Sequence, residues 1–300
     1  MRENRLKIGI VGIGKMGSAI ATRLAGLGHE VHAWNRTAEK ARALAAAGVI
    51  VAATPRELAG NVDTIISILT NATAIDAAYD GQNGLLAGRI AGKLFIEMST
   101  VRPVTEQALA AKVKAKGAAL IDCPVGGTVG PARDGKLFGF AGGDAADVAR
   151  AKPLLDQMCR RVEHVGPVGS GASMKLAINL PLLVYWQALG EALLLCKPLG
   201  LDPARVMDIL ADTSGAPGVL KVRGPAVVKA LQGQDTGVIT FDIDSLRKDL
   251  QTMIEEAKSL GGTLPVTASA LECFDEASRA GLGKGDATLL PARWVKQAGN

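Results

Sequence analysis

The sequence predicts an α/β domain built on a doubly wound parallel sheet, followed by an all-α domain joined to it by a long interdomain helix. Up to about Val165, short β-rich runs alternate with longer helical patterns, the arrangement that lays helices over a parallel sheet. Beyond that point the alternation stops and the pattern is helical, punctuated by Gly and Pro. Near the change, Ala172 to Lys197 forms one long run whose apolar positions nearly encircle a helix.

In chain order, the strands are expected at Lys7 to Val11, Glu30 to Trp34, Val49 to Ala52, Thr64 to Ile68, Leu94 to Met98, Ala119 to Asp122 and Leu137 to Ala141. Helices between them carry start signals. In Thr54-Pro55-Arg56-Glu57 a capping hydroxyl, a proline at the first helical position and a glutamate that reaches back to the cap occur together. Gly166-Pro167-Val168-Gly169-Ser170-Gly171 reads as the hinge, which sets the domains at residues 1–165 and 166–300. The long helix after it should be buried, kinked at Pro181 where a backbone donor is lost, and ended by Pro198 with Gly200. Asp202-Pro203 caps the next helix, and no internal repeat is present.

Composition excludes several function classes. With 300 residues, 48% of them apolar, the chain can bury a substantial core, so a disordered tail protein is excluded. Aromatic residues make up only 3%, which argues against a stacking platform for single-stranded nucleic acid. The net charge of +5 comes from basic residues interspersed with acidic ones, so no nucleic acid is expected as partner and a small anionic molecule is. Cys123, Cys159, Cys196 and Cys273 lie far apart, suggesting neither disulfides nor a metal site and fitting a cytoplasmic protein. The charged opening Met-Arg-Glu-Asn-Arg-Leu-Lys lacks the features of a secretory signal. Ala177 to Cys196 contains Asn179, Pro181, Gln187 and Glu191, expensive in lipid, so no membrane span is expected.

Gly12, Gly14 and Gly17 form G-x-G-x-x-G directly after the first strand, and a helical run, Ser18 to Leu27, follows. The first glycine permits a tight turn, the second lets backbone approach a pyrophosphate, and the third lets helix and strand pack closely. The helix N-terminus adds unpaired N–H donors and a favourable dipole. In this strand-turn-helix context the segment Gly12, Ile13, Gly14, Lys15, Met16, Gly17 predicts a dinucleotide cradle of the Rossmann type. At the end of the second strand, where an NAD site usually offers an acid to the ribose hydroxyls, this chain has Asn35. Asn35, Arg36 and Thr37, with Lys40 one turn further, can pair with a 2′-phosphate that an acid would repel, so NADP is favoured over NAD.

Proton-transfer candidates are few. His29, His32 and His164 fall in or beside strand-like runs and read as packed or surface residues. Lys175 and Asn179, four residues apart, share one face of the long helix just after the hinge. Desolvation there would bring a lysine toward the neutral pKa that a general acid or base requires, while a lysine snorkelling at a helix start fits the spacing equally.

The residues also carry a resemblance. Lys7-Ile8-Gly9-Ile10-Val11-Gly12-Ile13-Gly14-Lys15-Met16-Gly17, Asp122-Cys123-Pro124-Val125-Gly126-Gly127, the run Gly169 to Asn179, and Phe241 with Leu246, Lys248, Asp249 and Leu250 resemble, in order, four motifs of one family. That family is the β-hydroxyacid dehydrogenases, which include 3-hydroxyisobutyrate dehydrogenase and tartronate semialdehyde reductase, and the likeness covers almost the whole chain. It implies that Lys175 is the catalytic lysine and that Asn179 helps hold the substrate. It implies Thr100 against the nicotinamide half of the cofactor, Leu69 and Thr70 on the adenosine side, and Lys248 closing over the cofactor. Ser99, Val125, Gly126, Gly127 and Thr128 are implied at the substrate. The family often has proline at the position of Thr70 and serine at that of Gly126.

Backbone N–H groups of Gly126 and Gly127 with the Thr128 hydroxyl can replace the missing hydroxyl as an anion-binding concavity. Pro-Val-Gly-x-Thr resembles the branch that reduces small acidic aldehydes such as sulfolactaldehyde or succinic semialdehyde, which has arginine where this chain has Gly127. Cys123 reads as a packing substitution. The expected activity is hydride transfer between NADP and a small 3-hydroxy acid or its semialdehyde. The alternatives are imine reduction on the same scaffold, against which Lys175 counts, and a nucleotide-binding module without catalysis. The long apolar helix predicts self-association, and the resemblance implies a homodimer or homotetramer built on the helical domain.

Overall fold

A computed structural model describes residues 5–213, 215 and 217–297. The first four residues of the charged opening segment lie outside these. The chain divides into two compact units, Met1–Lys175 and Leu176–Asn300.

The first unit carries nine strands among the described residues: β1 (Lys7–Val11), β2 (Glu30–Trp34), β3 (Ile50–Val51), β4 (Thr64–Ser67), β5 (Leu94–Glu97), β6 (Ala119–Asp122), β7 (Val125–Gly126), β8 (Leu137–Gly142) and β9 (Cys159–Gly166). Its helices are α1 (Lys15–Gly26), α2 (Ala38–Arg42), α3 (Pro55–Asn61), α4 (Ala72–Tyr79), α5 (Pro103–Lys114), α6 (Val129–Asp134) and α7 (Ala145–Met158). Strands β1 to β6 are parallel in the order β3-β2-β1-β4-β5-β6, the doubly wound arrangement expected. Side chains alternate between two buried clusters. Ile8, Ile10, Leu94 and Ile96 enter one, while Val11, Ile65, Phe95 and Leu120 enter the other, which is why the strands read as continuous apolar runs.

Beyond β6 the sheet departs from a simple parallel reading. Strand β8 is antiparallel to β6, and β7 and β9 are additional partners of β8. Between β6 and β8 the chain forms β7, itself antiparallel to β8, and the short α6, and it returns antiparallel to β6. Strand β9 escapes sequence reasoning because it is largely uncovered and Arg160, Arg161 and Glu163 break any apolar alternation. At α3 the Thr54 hydroxyl accepts from Glu57 N, and the Glu57 carboxylate accepts from Ala53 N, one residue before the cap.

Helix α8 (Ser170–Cys196) begins in the first unit and runs unbroken through Pro181 into the second, where α9 (Pro203–Ala211), α10 (Val219–Leu231), α11 (Ile243–Ser259), α12 (Pro265–Ala277) and α13 (Leu289–Gln297) follow. A short turn at Lys197–Leu199 and Gly200 at φ +60° end α8, as Pro198 and Gly200 predict. Leu183, Trp186, Leu189 and Leu193 pack with Leu220, Leu246, Leu250, Phe274 and Leu290 into the core of the second unit. Full burial of α8 is not what the single chain shows. Its apolar surface runs round the helix, and Ile178 and Leu195 are left exposed. Ser170–Leu199 is, among the described residues, the one helical stretch long and apolar enough to cross a membrane. Its polar groups nevertheless find protein partners, since Gln187 accepts from Trp294 Nε1 at 2.8 Å and Asn179 donates to Asp249.

Candidate active site

The turn after β1 brings Gly12 to φ +98°, and a Cβ there would run into the Ile68 carbonyl oxygen. A Cβ on Gly17 would collide with the Gly12 carbonyl oxygen, so helix and strand could not close. Gly14 differs, for a Cβ there would meet no protein atom within 4 Å. Packing does not require that glycine. It is exposed, caps α1 without any side-chain bond to the first-turn N–H groups, and so leaves an approachable cradle that fits a pyrophosphate. Gly17→Ala is expected to lower stability by about 2 kcal/mol by overpacking. Gly14→Ala should leave Tm unchanged and weaken binding of a dinucleotide, and thermal melts beside a fluorescence titration separate the two effects.

Asn35, at the end of β2, holds this turn. Its Oδ1 accepts from Ile13 N at 2.9 Å and its Nδ2 donates to the Thr37 carbonyl at 2.9 Å. Arg36 and Lys40 are exposed and make no ion pair among the described residues, and the Thr37 hydroxyl is not used to cap α2. A guanidinium, a hydroxyl and an ammonium therefore lie free beside the cradle.

Carboxyl ends of β4, β5 and β6 supply the next elements. The Ser67 hydroxyl bonds to Tyr79 Oη at 2.6 Å and to the Glu97 carboxylate. Glu97 Oε1 accepts from Ser99 N at 2.7 Å, and Ser99 Oγ accepts from Leu69 N at 2.7 Å, so the loops bearing Leu69-Thr70 and Ser99-Thr100 are tied together. Burial raises the Glu97 pKa to about 7 against the opposing bonds from Ser67 and Ser99. Asp122, ending β6, accepts from Gly169 N at 2.7 Å and Ala172 N at 2.8 Å. Burial pushes its carboxyl up to about 6, with these backbone donors acting in the other direction. It thereby holds the first turn of α8, and Lys175, half-buried, stands less than one turn further on.

The Val125 to Thr128 segment, expected at the substrate, lies on β7 and just before α6. A Cβ at Gly126 would touch Phe140 and Phe138 at an ordinary 3.6 to 3.8 Å, so the position is open rather than strained. Gly127 at φ +121° has Leu137 where a side chain would go, and the Thr128 hydroxyl makes no capping bond. Cys123 is buried and its thiol pKa is raised well above the ordinary value by desolvation, which fits a packing role. In the second unit Asp249 lies under Asn179 and pairs with Lys248 at 2.5 Å, so one buried carboxylate serves both.

The histidines have structural partners. His29 accepts from Leu6 N and bonds Gln157, His32 pairs with Glu30, and His164 donates to the Gly143 and Gly166 carbonyls. Sequence reasoning missed Ser67, Tyr79, Glu97 and Glu106, and saw Asp122 only as part of a motif. The signal was present, because Thr-Ile-Ile-Ser, Leu-Phe-Ile-Glu and Ala-Leu-Ile-Asp each end an apolar strand on a polar residue. No group of three or more His, Cys, Asp or Glu among the described residues is arranged to hold a metal ion.

A dinucleotide cradle on a doubly wound sheet, joined by one long helix to a helical unit, defines an NAD(P)-dependent oxidoreductase. Residues 7–166 match the family model for the NAD binding domain of 6-phosphogluconate dehydrogenase, and residues 169–292 match that for NAD-binding of NADP-dependent 3-hydroxyisobutyrate dehydrogenase. The chain belongs to the β-hydroxyacid dehydrogenase family. It is 32% identical to 3-sulfolactaldehyde reductase of Escherichia coli over 93% of this chain and 92% of that one. It is likewise 32% identical to 3-hydroxyisobutyrate dehydrogenase of Pseudomonas aeruginosa, over 89% of this chain and 90% of that one. The solved 3-hydroxyisobutyrate dehydrogenase of Mycobacterium tuberculosis with L-serine superposes with a TM-score of 0.84 at 26% identity, covering 97% and 99% of the two chains. A reductive aminase from Aspergillus terreus, at 23% identity and a TM-score of 0.64, shares the fold alone.

Proposed function

We propose that the chain is an NADP-dependent enzyme that reduces a small anionic semialdehyde or oxidises the matching 3-hydroxy acid, with Lys175 as general acid and base. The observation that carries this reading is the anchoring of α8 by Asp122. Because Asp122 ends a parallel strand, its bonds to Gly169 and Ala172 start the lysine-bearing helix at the carboxyl edge of the sheet, where open α/β sheets bind ligands. When bound, the nicotinamide supplies or accepts the hydride. Lys175 Nζ gives a proton to the carbonyl oxygen during reduction and takes it from the hydroxyl during oxidation. Thr100, Leu69 and Thr70 are assigned to the cofactor, Ser99 and the Val125 to Thr128 segment to the substrate. The roles that the resemblance gives Asn179 and Lys248 belong to the same proposal. Asn35 in place of an acid, with Arg36, Thr37 and Lys40 unengaged beside the cradle, supports NADP over NAD.

The test is a spectrophotometric screen of C3 and C4 semialdehydes and 3-hydroxy acids, each with NADPH or NADP and with NADH or NAD, alongside cyclic imines. Turnover of a semialdehyde with NADPH is expected. Faster turnover of an imine, or bound cofactor without oxidation of any carbonyl, would defeat the reading in favour of an imine reductase or a non-catalytic module. Homodimers or homotetramers are proposed as well, since Leu195 near the end of α8 is 81% exposed, Leu199 in the turn after it 63% and Val222 on α10 77%. Light scattering giving a monomer mass at micromolar concentration would contradict that. The free cysteines fit the reducing cytoplasm proposed for the protein.

A further inference from the structure

A row of buried polar side chains closes the carboxyl ends of the central strands on one face of the sheet. Residues in register on neighbouring parallel strands point to the same face, and the register runs Val11, Ser67, Glu97, Asp122 across β1, β4, β5 and β6. Two residues earlier on each strand the same face is apolar, with Ile65, Phe95 and Leu120. Ser67, Glu97 and Asp122 are 0% exposed, and Glu106, from the first turn of α5, is 1% exposed. Of the buried polar and charged side chains described in this unit, all but His32 are in this row or, like Ser99 and Glu106, adjoin it.

Such an arrangement is costly. No lysine or arginine is among the buried side chains described in this unit, and at Glu97 and Asp122 hydrogen bonds act against desolvation. Their protonation follows the donors each receives. Glu106 has no partner for either oxygen among the described residues, and burial holds its pKa well above the carboxylate range. Glu97 titrates at about 7 and Asp122, with several backbone N–H donors, at about 6. The folded state therefore keeps protons that the unfolded chain releases. Stability from these groups is complete below the ordinary carboxylate values and is lost as pH rises through about 6 and about 7. Apolar residues at the same positions would carry no such penalty.

What the acids hold is specific to the functional edge. Through Ser99, Glu97 fixes the Leu69 and Ser99-Thr100 loops to each other, and Asp122 fixes the start of α8. We propose that Glu97 and Asp122 are positioning residues for the reaction: Glu97 aligns the two loops assigned to the cofactor, and Asp122 sets the turn of α8 from which Lys175 projects. This rests on the roles proposed above for Thr100 and Lys175.

The experiment uses the full chain, comparing Glu97→Gln, Asp122→Asn and Glu106→Gln with the wild type by thermal melts, NADPH titration and steady-state kinetics. Glu97→Gln is expected to raise the NADPH Kd about 10-fold, and Asp122→Asn to lower kcat about 10-fold with the NADPH Kd nearly unchanged. Glu106→Gln, which breaks no bond to either loop, should leave both within about twofold. Should either main variant fail to fold, Ser99→Ala, which removes the bond from Leu69 N and is read on the NADPH Kd only, because Ser99 is itself assigned to the substrate, and Asp122→Ser, which keeps one acceptor at the helix start, report on the same two limbs. Folded variants with kcat and Kd both unchanged would overturn the proposal. So would a Glu106→Gln effect as large as the others, which would mark the row as structural. An active Lys175→Ala would instead defeat the underlying reading, leaving the effect of Glu97 on NADPH affinity standing.

Discussion

Lys175→Ala is expected to lower kcat by about 1,000-fold while the NADPH Kd stays nearly constant, because a single positioned acid or base contributes on the order of 100- to 10,000-fold to such a step. Alanine is the best helix former, and Lys175 stands in α8 between an anchored first turn and the buried Leu176, so the helix should persist. A melt within a few degrees of the wild type would show that chemistry, not folding, was lost. Lys175→Arg sharpens the argument. Arginine keeps the charge and most of the length but cannot be deprotonated in proteins, so it should not rescue turnover. Near-normal kcat in the alanine variant, or full rescue by arginine, would remove Lys175 from the acid-base role.

Much of this was legible in the sequence because its causes are local. The glycine turn, the Thr54 cap and the Gly200 stop each depend on a few adjacent residues, and each occurs where the spelling places it. That Lys175 and Asn179 share one helix was legible for a similar reason, since helical spacing is local, while the roles proposed for them rest on the family resemblance. What escaped depends on register between distant strands. Glu97 reads as one acid at a strand end until pairing sets it beside Ser67 and Asp122. Asn35 shows the same limit. Its position announces a cofactor contact, yet its side chain is engaged with Ile13 N and the Thr37 carbonyl, so it shapes the cradle instead of waiting for a ligand. Strand β9 was missed because an edge strand carrying exposed charges has no apolar period to read.

The cofactor preference turns on that distinction. If Asn35 is a scaffold, discrimination falls to Arg36, assisted by Thr37 and Lys40, and Arg36→Ala is expected to reduce kcat/KM with NADPH about 100-fold and with NADH hardly at all. A guanidinium paired with a phosphate dianion makes charge-assisted bonds worth about 1.5 to 3 kcal/mol, which corresponds to that range. Lys40→Ala should lose less, since an exposed ammonium on a flexible stem is a point charge without the bidentate geometry. Asn35→Asp tests the scaffold directly. The carboxylate can still accept from Ile13 N, so the turn survives, but it forfeits the bond to Thr37 and sets a negative charge beside the 2′-phosphate. NADPH use should fall and NADH use rise, with the difference shrinking as salt screens the repulsion. A wild-type enzyme that used NADH as well as NADPH, and an Arg36→Ala variant that treated both alike, would show that these cations are solvated charges with no ligand to read.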